Sequence, residues 1–123
     1  MASDVDDHQS LKVPPHSLEA ERAVLGGLML DTGAWDAIAS LVTPDDFYRG
    51  EHRTIFRAME WLAADNKPLD IVTLAESLES HGELEAIGGL PYLSDLAEST
   101  PSASNVTAYA EIVQERSTVR KLI

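Results

Sequence analysis

The side chains best suited to chemistry in this chain are its histidines, its hydroxyl-bearing residues and its clustered acids. The four histidines are His8, His16, His52 and His81. No two of them stand four residues apart, as a metal-binding pair on one helix face would, and the absence of cysteine excludes thiolate metal sites and disulfides. A phosphate-binding loop is also missing, because Gly88-Gly89 is not accompanied by the required lysine. We therefore predict no catalytic residue, no metal ligand and no cofactor in this segment.

Three local patterns have both a catalytic and a structural interpretation. His52 lies near the apolar side of a predicted helix, where a hydrogen-bonded structural histidine is favoured over the base of a small all-α hydrolase that would use a nearby carboxylate. Asp45-Asp46 follows Pro44 and is typical of residues that cap a turn. The polar stretch 99–105 has no base placed to activate its hydroxyls, so it is predicted to connect two helices.

The charge of the chain is strongly negative and unevenly spread. The formal net charge is −12, and residues 68–115 contain nine acidic residues but neither lysine nor arginine. A surface of this kind repels the phosphate backbone, which argues against direct nucleic-acid binding. It is interpreted either as a solvated face or as a surface that meets a basic protein partner. No apolar run approaches the roughly 18 residues of a membrane span, and the polar N-terminus lacks a secretory signal, so a cytoplasmic location is expected.

One helix, predicted over Glu51–Asp65, is the element on which the others should pack. It has a single apolar face, begins after Gly50 and ends before Pro68, which cannot continue a helix. Trp35 and Trp61 are expected to pack in the core around it rather than to anchor a partner. The apolar face consists of Ile55, Phe56, Ala58, Met59, Leu62 and Ala63.

Further helical patterns surround this element. Ser17 is a predicted N-cap for a helix that contains Gly26-Gly27, and this glycine pair predicts a close approach of another backbone. Asp70 is a predicted N-cap for a second helix. With no run of strand-like period, the fold class is all-α, a compact bundle of about six helices. We divide the chain into a disordered acidic tail at 1–13, a globular bundle at 14–101 and a last helix at 102–123.

The apolar stripe of the last helix changes sides partway along. Its first half repeats apolar residues that suit this domain's own core, whereas the second half carries them on roughly the opposite side. We expect the first half to pack on the bundle and the second half to project toward another polypeptide. The predicted partner or self-association interface comprises Ile112, Arg116, Val119, Arg120, Leu122 and Ile123.

Five motifs in order give the chain a family resemblance. Over residues 14–123 it resembles the N-terminal domain of the bacterial replicative DNA helicases of the DnaB family. The motifs are PPHSLEAERAVLGGLMLD, DDFYRGEHRTIFRAMEWL, the P-x-D-x-x-T-L-x-E-x-L pattern of residues 68–78, GGLPYLSDL and PSASNVTAYAEIVQERSTVRKL.

The resemblance implies an assembly role. Such domains form the collar of a hexameric, ATP-dependent helicase, pair with neighbouring subunits through a helical hairpin and dock the C-terminal domain of primase. It implies that residues 102–123 are the first, truncated arm of that hairpin, and that the ATPase motor, with its ATP and Mg²⁺, is absent from this sequence. Expected partners are other helicase subunits, primase and a helicase loader. The alternative function is a stand-alone acidic helical adaptor with no attached motor.

Overall fold

A computed structural model describes residues 13–123 of the chain, and within that range it contains helices and turns but no strand. The predicted all-α fold class and the count of about six helices are confirmed for these residues. The tail predicted at residues 1–13 lies outside the described residues, apart from Val13. The α-helices are α1 (Leu18–Leu30), α2 (Trp35–Ala39), α3 (Gly50–Ala64), α4 (Ile71–Ser80), α5 (Gly89–Ser99) and α6 (Val106–Leu122).

Short side chains cap the helices where the sequence predicts. The Ser17 hydroxyl accepts the backbone N–H of Ala20 at 3.2 Å, which satisfies one of the free donors at the start of α1. Asp70 accepts the backbone N–H of Thr73 at 2.8 Å and begins α4 in the same way. These local hydrogen bonds fix the helix starts independently of tertiary packing.

Helix α3 is the centre of the core, as predicted. Ile55, Phe56 and Met59 are completely buried. The Phe56 ring lies 5.0 Å from the ring centroids of both Trp35 and Phe47, so aromatic side chains from three parts of the chain meet there. Trp35 is half-buried against the core, in agreement with its predicted packing role.

The core position predicted for Trp61 is wrong. Its side chain is 39% exposed and stacks on the exposed His81, with 4.3 Å between ring centroids. Trp61 lies next to Leu62 near the end of α3, but only Leu62 turns inward. The indole finds its partner at the end of α4 instead of in the core. The predicted apolar face of α3 does not include Trp61, so the helical period itself places this side chain away from the core.

The glycine pair in α1 allows the close helix approach that the sequence predicts. A Cβ atom at Gly26 would lie 2.3 Å from the backbone oxygen of Leu96 in α5, and one at Gly27 would lie 3.0 Å from Cγ2 of Val106 in α6. Helix α1 therefore packs tightly against both α5 and α6. This contact offsets the cost of placing glycine inside a helix.

The first half of α6 packs on the bundle through Val106, Ala110 and Val113, as predicted. These residues repeat at helical spacing and face the core beside α1. Ser117, one turn further on, is also buried. Among the described residues, no helix has the length and apolar character needed to cross a membrane.

Candidate partner-binding surface

The far end of α6 exposes apolar side chains. Val119 is 40% exposed, Leu122 is 81% exposed and Ile123 is 85% exposed. Past Val113, none of the apolar side chains of α6 is buried. Apolar surface of this kind is stabilised when another molecule covers it.

Four members of the predicted interface form one continuous stripe along α6. Ile112, Arg116, Val119 and Ile123 follow one another at steps of four, three and four residues, which places them on one side of a helix. Ile112 is half-buried and packs against the edge of the core, while Arg116 is half-exposed and pairs with the adjacent Glu115 at 3.4 Å. We call these four residues the α6 stripe.

Arg120 does not belong to the α6 stripe, because its side chain turns back onto this chain's own domain. Its guanidinium donates to the backbone oxygen of Pro15 at 2.8 Å and to that of Asp46 at 2.6 Å. It also lies 5.5 Å from the centre of the Tyr48 ring, within range of a cation–π interaction. The expectation that the whole second half of α6 projects away is therefore corrected: Val119 and Leu122 are exposed, but Arg120 contacts the bundle.

Asp46 is the bundle residue whose side chain accepts hydrogen bonds from the second half of α6. Its Oδ2 accepts the backbone N–H of Thr43 at 2.8 Å, which confirms the predicted cap of a 3₁₀ turn over Pro44–Asp46. Its Oδ1 accepts the Ser117 hydroxyl at 2.6 Å and the Lys121 ammonium at 3.4 Å. Burial raises the pKa of Asp46, but the hydrogen bonds from Ser117 and Thr43 and the charge of Lys121 outweigh it, so the net pKa is lowered. Sequence reasoning found the cap and missed the contact with α6.

An open groove lies beside the α6 stripe, between α1 and the first half of α6. Its volume is about 430 Å³, and Ile112 of the stripe is part of its wall. The neighbouring ion pair joins Arg22 in α1 to Asp95 in α5. The apolar surface of the stripe therefore continues into a concave surface on the bundle. The other lining residues include Ala20, Ala23, Pro101 and Tyr109.

His52 belongs to a buried polar network inside the bundle, which decides between its structural and catalytic interpretations. The Nδ1 atom of His52 lies 2.7 Å from Oε1 of Glu21, and Nε2 lies 2.6 Å from the Tyr92 hydroxyl. His52 is fully buried and Glu21 nearly so, and Glu21 also accepts the backbone N–H of Tyr48 at 2.6 Å. Because both ring nitrogens have partners and the ring is enclosed, the geometry is that of the predicted structural histidine.

The residue that sequence reasoning missed in this network is Glu21. Its position in the first turn of α1 suggests only a favourable interaction with the helix dipole, yet its carboxylate is the acceptor that joins α1 to α3. Tyr92 completes the network from α5, and its pKa is raised by burial. Within residues 13–123, no three His, Asp or Glu side chains are grouped so that they could hold a metal ion.

Relatives of known sequence cover most of this chain. The replicative DNA helicase DnaB of Haemophilus influenzae is 49% identical over 113 residues, which is 92% of this chain and 24% of that protein. The corresponding helicase of Geobacillus stearothermophilus is 46% identical over 114 residues, or 93% of this chain and 25% of that protein. The chain thus spans about a quarter of the length of these curated relatives.

Solved structures share the same fold. The crystal structure of the N-terminal domain of DnaB helicase from Mycobacterium tuberculosis superposes with a TM-score of 0.87 at 40% identity, covering 89% of this chain and 80% of that one. The N-terminal domain of the Helicobacter pylori DnaB helicase, described together with its interactions with primase, gives a TM-score of 0.71 at 24% identity and covers 84% of this chain and 80% of that one. At 24% identity, the similarity to the Helicobacter pylori domain shows a shared fold only.

A family model confirms the resemblance that the five sequence motifs carry. The model is that of the DnaB-like helicase N-terminal domain, and it matches residues 13–115. That range includes the whole bundle and the first half of α6. With the fold and the identity to the replicative helicases in agreement, this chain belongs to the family of DnaB-like helicase N-terminal domains.

Proposed function

We propose that this chain is the non-catalytic oligomerisation and primase-docking domain of a hexameric, ATP-dependent replicative DNA helicase that acts in the cytoplasm. Membership of the DnaB family supports the helicase context. The interactions of the Helicobacter pylori domain with primase support the docking role. Subunits of the helicase ring, primase and a helicase loader are the proposed partners.

The observation that carries the proposal is the exposed apolar end of α6. Val119 and Leu122 lie on a helix whose first half is packed on the bundle, and Ile123 follows directly as its C-cap. Complete burial of one side chain of this size is worth about 1.5–3 kcal/mol, so a helix packed against them would gain substantially. A neighbouring subunit or a second hairpin helix would supply that apolar cover.

ATP, Mg²⁺ and contact with DNA are assigned to a motor domain outside this segment. A chain with a net charge of −12 repels the phosphate backbone, whereas release of the DNA counterions needs a basic surface, and this supports a domain devoted to protein contacts. Titration of labelled single-stranded DNA with this chain at low salt should therefore give no binding signal. A salt-dependent signal would contradict this part of the proposal.

The assembly role can be tested in a hybrid Geobacillus stearothermophilus helicase in which this chain replaces only the 114 residues that match it, so that the segment expected to form the second hairpin helix and the motor are retained. Val119→Glu combined with Ile123→Glu places two charges in the α6 stripe and should weaken self-association without loss of helical content. Sedimentation over a concentration series measures the assembly, and circular dichroism measures the helix content. Val72→Glu is the matched control, because Val72 is 79% exposed but lies on α4.

Two results would contradict the proposal. If the Val119→Glu, Ile123→Glu variant forms the same oligomer as the parent, the α6 stripe is not part of the subunit interface. A hybrid helicase that neither forms hexamers nor binds the C-terminal domain of primase, while its motor still hydrolyses ATP, would favour the stand-alone adaptor instead.

A further inference from the structure

Three residues in the second half of α6 contact a single residue of the bundle, Asp46. The Ser117 hydroxyl and the Lys121 ammonium both donate to Oδ1 of Asp46, at 2.6 and 3.4 Å. Arg120 donates to the backbone oxygen of the same residue at 2.6 Å. We call these four residues the Asp46 clasp.

The Asp46 clasp holds a part of α6 that apolar packing does not hold. The last buried apolar residue of the helix is Val113, and the side chains of Val119 and Leu122 are exposed. Beyond Val113, α6 contacts the bundle through polar groups, including the hydrogen bond from Arg120 to the backbone of Pro15. The direction of this half of the helix therefore depends on hydrogen bonds and charge.

Ser117 and Lys121 of the clasp lie on the opposite side of the helix from Val119 and Ile123 of the α6 stripe. Val119 stands two residues after Ser117, and Ile123 stands two residues after Lys121. Two residues correspond to about 200° of rotation around a helix of 3.6 residues per turn. When Ser117 and Lys121 face the bundle, Val119 and Ile123 therefore face outward.

We propose that Asp46 is a positioning residue, which sets the direction in which the α6 stripe is presented to a neighbouring subunit. The inference rests on the proposed function, in which the stripe is a contact surface. A residue that served only as a turn cap would need only the oxygen that accepts from Thr43. The other oxygen of Asp46 accepts a hydrogen bond from Ser117 of α6, 71 residues further along the chain.

Two variants separate the positioning role from the cap. Asp46→Asn keeps an oxygen for the Thr43 N–H but replaces the second acceptor by an amide that cannot accept from Ser117 or Lys121. Ser117→Ala removes the 2.6 Å bond and leaves Asp46 in place. Thr118→Ala is the matched control, because the Thr118 hydroxyl donates within α6, to the backbone oxygen of Gln114.

The direction of α6 can be measured by pulsed electron-spin spectroscopy. Because the chain has no cysteine, spin labels can be attached at Glu79→Cys on α4 and Leu122→Cys at the end of α6, both of which are exposed. We expect one narrow distance distribution in the parent protein and with Thr118→Ala. Asp46→Asn and Ser117→Ala should broaden it while circular dichroism stays unchanged.

Self-association of the unlabelled hybrid helicase provides the second measurement. Loss of the clasp should raise the dissociation constant about tenfold, and Thr118→Ala should leave it unchanged. Distance distributions that stay narrow in both clasp variants would overturn the inference, as would broadening without weaker association. Failure of the parent hybrid itself to associate would overturn the proposed function, and that result is distinguishable because it precedes any change to the clasp.

Discussion

The Nδ1 atom of His52 lies 2.7 Å from Oε1 of Glu21, and this buried pair joins the central helix α3 to α1. Tyr92 extends the pair to α5 through a 2.6 Å contact with the other ring nitrogen. Three helices therefore share one polar network inside an otherwise apolar core. Removing any member should leave a buried group without its partner, which costs more than the net value of a hydrogen bond.

His52→Ala should lower the free energy of unfolding by about 3 kcal/mol, because it removes a buried ring and leaves the Glu21 carboxylate with one donor fewer. Tyr92→Phe keeps the ring and should cost about 1 kcal/mol. Urea unfolding followed by circular dichroism measures both variants. A smaller loss for His52→Ala than for Tyr92→Phe would contradict a structural role of the network.

Gly26→Ala should destabilise the fold by about 3 kcal/mol, although alanine favours helices, because the added methyl group would overlap with α5. The new Cβ would lie 1.8 Å from the Thr100 hydroxyl and 2.3 Å from the backbone oxygen of Leu96. Adding Thr100→Ala should not restore stability, since the backbone contact remains. Gly27→Ala, whose nearest contact is 3.0 Å from Val106, should cost much less in thermal unfolding.

Asp46→Asn should lower stability in a manner that depends on pH. The pKa of Asp46 is lowered in the folded protein, so its carboxylate stabilises the fold above the unfolded pKa of about 4 and loses this effect as the pH falls through the folded pKa. The difference in unfolding free energy between parent and variant should therefore be constant near pH 6 and shrink below about pH 4.

The measurement for Asp46 is urea unfolding at a series of pH values. Asp36→Asn, at an exposed position on α2, controls for the general loss of a negative charge from an acidic protein. A parent–variant difference for Asp46 that grows as the solution is acidified would show that the clasp does not stabilise the charged carboxylate.

Trp61→Ala should cost about 1 kcal/mol, whereas Phe56→Ala should cost about 3–5 kcal/mol, although both aromatics lie on α3. Phe56 is fully buried between two other rings, and Trp61 is 39% exposed beside His81. Thermal unfolding of the two variants tests the contrast. Equal losses would mean that the Trp61–His81 stack holds α3 and α4 together as firmly as the core does.

Much of the fold could be predicted because its causes are local. The Ser17 and Asp70 caps, the apolar period of α3 and the break at Pro68 each depend on residues within one or two helical turns. The close approach at Gly26 was also predictable, since glycine inside a helix has a cost that only tight packing offsets.

The candidate surface was predictable only in part. The change of side along α6 identified Val119 and Ile123, because a helical period reveals which residues face away from a core. It could not reveal that Arg120 turns back to the bundle, since arginine is long enough to reach either way from the same helix position. The role of Val119 and Ile123 in contacting a partner stays a prediction.

By itself the sequence determined the helices, the all-α class and the family, because periodicity, caps and motif order are encoded over short stretches. Only the tertiary structure decided which acidic residues within 13–123 are buried. The Glu21 carboxylate meets His52, 31 residues away, and the Asp46 carboxylate meets Ser117, 71 residues away. No local sequence pattern extends over such separations. A carboxylate is buried only where folding brings donors to it, and that convergence is a property of the packed bundle.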